Sequence, residues 1–167
     1  MLLDALLILI SAFLLYFLWL SYTRAFGAEY VRTPPSQRRL AIKMLKLNKN
    51  DVFYDLGAGT GSMLIEASRR VKLAIGIEID PIRALIAYLR IKMKKIKNAK
   101  LIYGNLFKIH FSKATKLFVF LSREANEKLG NKLKQELSEN AIVVSYKWPI
   151  KGLRLIERRG RLYCHKV

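Results

Sequence analysis

Residues 51–61 read DVFYDLGAGTG and residues 73–81 read LAIGIEIDP. The apolar run 52–56 predicts a short buried strand, because a strand covered on both faces reads as a continuous hydrophobic stretch. The glycines Gly57, Gly59 and Gly61 follow at once, and residues 62–71 predict a helix. A strand, a glycine turn and a helix place free backbone N–H groups where a ligand is able to approach closely. The second stretch predicts another strand over 73–78, closed by Glu78, with Asp80 and Pro81 opening the next helix.

The glycine spacing excludes two phosphate-binding turns. A dinucleotide fingerprint needs G-x-G-x-x-G, and here position 62 is Ser while the third glycine falls one residue early. A P-loop needs G-x-x-x-x-G-K-[ST], which is absent. Asp55 stands two residues before the first glycine, awkward for a pyrophosphate and favourable for a cation. A carboxylate at the end of the second strand, Glu78, accepts both hydroxyls of a ribose. A ligand with a ribose, a positive charge and no phosphate is S-adenosylmethionine.

Outward from these motifs the pattern continues. Strands are expected at 100–104, 116–121 and 141–146, with helices at 81–95 and 124–137. Residues 152–167 suggest a hairpin turning at Arg159-Gly160. Strands alternating with helices imply a mostly parallel sheet with helices on both faces.

The chain has 167 residues and a net charge of +19, enough for one domain. A 52 % apolar content excludes global disorder. One cysteine and two histidines exclude an internal disulfide framework and argue against a structural metal site, so no metal is expected. Residues 5–22 carry no charge, a length that spans about 27 Å as a helix. That approaches the ~30 Å hydrocarbon core of a bilayer. Tyr16, Trp19 and Tyr22 cluster toward its end, and the basic residues Arg24, Arg32, Arg38 and Arg39 follow. The expectation is a single-pass transmembrane anchor over 1–22, a linker over 23–35 and a cytoplasmic domain over 36–167. No charged leader or small-residue cleavage site marks a secretory signal, and no Arg-rich stretch marks a transit peptide. Residues 23–167 carry a net +20, which suits an anionic membrane surface first and nucleic acid second.

DLGAGTG at 55–61, GIEIDP at 76–81 and GNLF at 104–107 together resemble the class I, or seven-β-strand, S-adenosylmethionine-dependent methyltransferases. The resemblance covers residues 29–167. It implies a Rossmann-like α/β fold with a mostly parallel seven-stranded sheet and a C-terminal antiparallel hairpin, here preceded by one transmembrane helix. It also implies cofactor contacts from Asp55, Gly57, Gly59, Gly61, Glu78 and Asn105, the last beside the adenine.

The methyl acceptor is a separate question. The Asn/Asp-Pro-Pro-aromatic box of base-amino and glutamine methyltransferases is missing, with Phe118 to Arg123 reading FVFLSR in its place. Cys164 falls in an expected strand and reads as a core residue. His110 and His165 have no visible partner for a catalytic triad. A lysine acceptor needs no dedicated base, because desolvation in an apolar channel favours its neutral, nucleophilic form. Phe120, Tyr146 and Trp148, with Tyr30 and Phe107, are candidates to line such a channel. The run YVRTPP at 30–35 after an apolar segment, with DLGAGTG and GNLF, is similar to a small group of protein lysine methyltransferases. They include mitochondrial enzymes acting on the adenine nucleotide translocase and on the c subunit of ATP synthase, with soluble archaeal relatives. That likeness implies a protein-lysine substrate at the membrane, an archaeal source, and Tyr30 and Thr33 near the cofactor. Arg32 stands where the group has proline, and Tyr146 where it has histidine. The alternatives are an RNA methyltransferase, a membrane-lipid or small-amine methyltransferase, and a fold that binds without turnover.

Overall fold

The computed structural model describes residues 2–25 and 32–167. After an N-terminal helix α1 (Leu2–Ala25), the chain runs α2 (Pro35–Leu45), β1 (Val52–Leu56), α3 (Ser62–Ser68), β2 (Leu73–Glu78) and α4 (Pro81–Met93). It continues β3 (Ala99–Tyr103), a 3₁₀ turn Leu106–Lys108, β4 (Lys116–Val119), α5 (Arg123–Glu136) and β5 (Ile142–Tyr146). The hairpin β6 (Arg154–Arg159) and β7 (Leu162–Lys166) completes it.

The seven strands form one sheet in the order β3-β2-β1-β4-β5-β7-β6. Strands β1 to β5 are parallel, and β7 enters antiparallel between β5 and β6. Side chains alternate across the sheet. Phe53, Phe118 and Val144 pack under α2 and α3, with Ile91 of α4 in the same cluster. Tyr54, Leu56 and Leu117 pack against Leu129 and Leu133 of α5 on the other face. The expected Rossmann-like sheet with helices on both faces is therefore present, hairpin included.

Local chemistry explains the boundaries. Pro35 opens α2 where a missing N–H costs nothing, and Asp80 and Ser122 cap α4 and α5 with side-chain oxygens. Helix α3 stops at Ser68, three residues short of the expected end. Strand β4 ends at Val119, so Phe120 and Leu121 leave the ladder. The hairpin turns at Gly160-Arg161, one residue later than expected, because Gly160 takes the positive φ of 59°.

Helix α1 is long enough, at about 36 Å, to cross a bilayer. None of the stretch Leu2–Trp19 is buried within the protein, and the consecutive residues Leu6, Leu7, Ile8 and Leu9 stand exposed around it.

The order of the strands decides where a ligand fits. The chain winds one way from β1 to β3 and the other way from β4, so the crevice lies beyond the C-terminal ends of β1 and β4. The segments leaving β1, β2, β3 and β4 meet there.

Candidate functional site

The segment leaving β1 turns on glycines with φ of 80° at Gly57, 55° at Gly59 and 78° at Gly61. Residues with a Cβ rarely adopt these angles. At Gly57 a Cβ would also fall 2.9 Å from Leu121 Cδ2. The loop is held from below, where Gly57 and Ala58 N–H both donate to Ile77 O. Arg90 of α4 holds it from the side, donating to Thr60 O and reaching Ser62 Oγ at 3.2 Å.

Glu78 ends β2 beneath this loop. Its Oε2 accepts from Gly59 N at 2.6 Å and its Oε1 from Asp80 N at 2.9 Å. Each carboxylate oxygen has about two acceptor sites, so each retains one. Asp55 sits alongside, its Oδ2 accepting from Leu64 N at 3.0 Å. Both carboxylates are buried, at 4 % and 2 % exposure. Burial pushes Glu78 above the usual carboxylate range, against the opposing pull of its two N–H donors. Burial pushes Asp55 further, up to about 7, partly offset by the Leu64 N–H.

These groups border a cleft of about 950 Å³, its open mouth included. Thr33, Asp55, Gly57, Gly59, Glu78, Asn105 and Phe120 all line it. They are far apart in the sequence, and the sheet brings them together. Asn105 follows β3 and caps the 3₁₀ turn, its Oδ1 accepting from Phe107 N at 2.9 Å. Gly61 is not on the wall: it packs the start of α3 against α4, with Ala87 Cβ 3.1 Å from where its own Cβ would stand. Tyr30 lies outside the described residues.

The expected acceptor residues divide. Phe120 lines the cleft and meets Tyr146 edge-to-face, with ring centroids 4.8 Å apart. Tyr146 is buried behind it. Trp148 is not among the lining residues: Arg123 stacks on its ring at 4.4 Å, and its carbonyl accepts from Asn126 Nδ2. Cys164 is buried in β7, as a core residue should be. His110 is exposed beside Glu136. Among the described residues no cluster of side chains suits a metal ion.

Several wall residues had no sequence signal. Arg38 of α2 donates from Nη1 to Thr33 O at 2.7 Å and from Nε to Glu66 Oε2 at 3.2 Å, tying the segment before α2 to the cleft. Phe118 and Met63 add apolar wall. A residue type repeated on a helix or strand carries no mark of which one will face a cleft.

The model of the ANTKMT methyltransferase domain family matches residues 55–157. The chain belongs to this family. A protein-lysine N-methyltransferase from Saccharolobus islandicus is 36 % identical over 126 residues, covering 74 % of this chain and 78 % of that protein. A human lysine N-methyltransferase, named for the c chain of ATP synthase, is 26 % identical over 121 residues. That match covers 72 % of this chain and 52 % of the human protein. Among solved structures, an RNA methyltransferase from Salinibacter ruber in complex with S-adenosyl-L-homocysteine superposes with a TM-score of 0.72 at 28 % identity. The superposition covers 81 % of this chain and 91 % of that one.

This chain is thus an S-adenosylmethionine-dependent methyltransferase, and its cleft fits the cofactor. Two buried carboxylates, both held up by desolvation, favour a ligand that brings hydrogen-bond donors and positive charge. Ribose hydroxyls and a sulfonium supply both. The glycine loop keeps its N–H-bearing backbone clear of side chains beside them.

Proposed function

We propose that this methyltransferase modifies lysine side chains of proteins, and does so at a membrane to which α1 holds it with the domain on the cytoplasmic side. The observation that carries the lysine reading is the 36 % identity to the Saccharolobus protein-lysine N-methyltransferase across most of both chains. The human relative, named for a lysine in ATP synthase, adds support.

The chain's own residues fit the chemistry. The bound cofactor supplies a methyl group on a positively charged sulfur. Glu78 and Asn105 would hold it through polar contacts, and the glycine loop would lie against it. Phe107, Phe118 and Phe120 give the cleft an apolar, aromatic side. A lysine amine entering past such walls loses its hydration, which lowers its pKa and releases its proton to water before reaction. Alignment of amine, methyl and sulfur then accounts for the rate without a dedicated base.

The membrane part rests on helix α1, apolar on every side and unburied over Leu2–Trp19, followed by basic residues. A second reading, RNA methylation, draws on the Salinibacter structure and the net charge of +19. Incubating native membranes, total RNA and lipid with methyl-labelled cofactor separates the readings. Methyl-lysine in membrane protein is the expected product. Label found in RNA or lipid alone, with none in protein, would replace the lysine assignment.

A further inference from the structure

Helix α4 is built the wrong way round for a surface helix. The side chains it buries are small, Ala84 and Ala87 with Ile91, while Ile82, Leu85, Ile86, Leu89 and Met93 are exposed. At 100° per residue those five form one stripe, centred on Ile82, Leu89 and Met93 and opposite the buried face. Exposures reach 57 % at Leu85 and 81 % at Met93. Edge strand β3, which α4 covers, adds Tyr103 at 62 %. Contiguous apolar exposure on this scale marks an interaction surface.

The charge around the stripe identifies the partner. From Pro81 to Lys108 the chain is rich in Lys and Arg and has no Asp or Glu. Tyr88 and Lys92 border the stripe on one side, Lys92 Nζ lying 5.6 Å from the Tyr88 ring centroid. On the other side Arg83 and Arg90 turn inward, Arg83 pairing with Asp80 at 3.3 Å and Arg90 bracing the glycine loop. A helix with a large apolar face, a cationic flank and interfacial aromatics lies in the plane of a membrane at headgroup depth. A second protein copy would have to meet this surface with matching acids, and the chain has only 12 Asp and Glu in all.

We infer that the exposed face of α4, with Tyr103, docks in the headgroup region of an anionic lipid bilayer. This deepens the membrane reading above and rests on it. It also orients the enzyme. Arg83 borders the stripe and lines the cleft, so docking turns that rim of the cleft toward the bilayer. The acceptor then reaches the site from the membrane surface. Each near-surface Lys multiplies the docked population by about five.

The test uses the full chain in vesicles, with a nitroxide on Cys at position 89 (Leu89→Cys) or, as control, position 128 on α5 (Lys128→Cys). In vesicles containing phosphatidylserine, the label at 89 should become accessible to oxygen and shielded from a water-soluble nickel chelate. The label at 128 should remain open to nickel. Adding Lys92→Gln should lower the docked-to-free ratio by about fivefold. Nickel access at 89 equal to that at 128, in a chain retained by vesicles, would overturn the docking and leave the anchor intact. Failure of the chain to enter vesicles at all would overturn both. Shielding at 89 that persists in detergent, together with a dimer mass, would assign the face to a second copy. Shielding that appears only with added RNA would assign it to nucleic acid.

Discussion

Glu78 holds Gly59 and Asp80 through their N–H groups and keeps acceptor capacity toward the cleft. Charge-assisted hydrogen bonds contribute about 1.5–3 kcal/mol each. Glu78→Ala should therefore lower cofactor affinity at least about tenfold by calorimetry, in a protein whose circular dichroism is unchanged. Equal affinity would remove Glu78 from the ribose. Asp55 makes a different prediction. Its carboxyl titrates near 7 in the fold, above its ordinary value of 3.8, so ionising it works against folding. Its contribution is intact below about pH 4 and is lost as pH rises through about 7. Asp55→Asn retains an acceptor for Leu64 N–H and carries no charge to desolvate. The variant should melt higher than the parent at pH 8, and the gap should narrow by pH 5 and close below about pH 4, while cofactor affinity falls. Parallel melting curves at both pH values would refute the burial argument. Both residues were legible in the sequence because each sits a fixed number of positions from a glycine or a strand end. Arg38, which ties Thr33 to α3, and Arg90, which braces the glycine loop, were not, since their places depend on how helices rotate against the sheet.

Among the elements, the strands were the most legible, because a parallel strand buried on both faces is a short unbroken apolar run bounded by turn residues. Boundaries moved where one side chain had a better use off the ladder, as at Phe120 on the cleft wall. Helix packing is less visible in sequence. Gly130 in the middle of α5 looks like a weak point in a helix, yet a Cβ there would stand 1.9 Å from Lys151 O. The glycine lets the backbone of the segment after β5 cross α5 directly. Gly130→Ala gains up to about 1 kcal/mol of helix propensity. It must also displace backbone, at about 1–3 kcal/mol or more. The net expectation is a lower melting temperature, and a higher one would show that the crossing is looser than described. Helix α4 misled in the opposite direction. Its residues predict a helix over 81–95, and only the structure reveals that its large side chains face outward.

At the scale of the whole molecule, the membrane reading proposed above makes the short connection between α1 and α2 decide what the cleft meets. Nine residues separate Ala25 from Pro35. Fully extended they reach about 30 Å, so a domain tethered to a spanning helix stays within one domain diameter of the bilayer. Confinement of that kind gives an effective concentration in the millimolar range toward anything else in the layer, without any new contact. Selectivity should then come from position more than from the cleft itself, whose aromatic side, formed by Phe107, Phe118 and Phe120, carries little to read a particular sequence. The full chain in native membranes should place methyl-lysine chiefly on membrane proteins. The same chain in detergent, freed from the layer, should also methylate exposed lysines of an added soluble protein. Peptide mass spectrometry of the two reactions decides it. An identical pattern of modified lysines in both would mean that the cleft, and not the tether, selects the substrate.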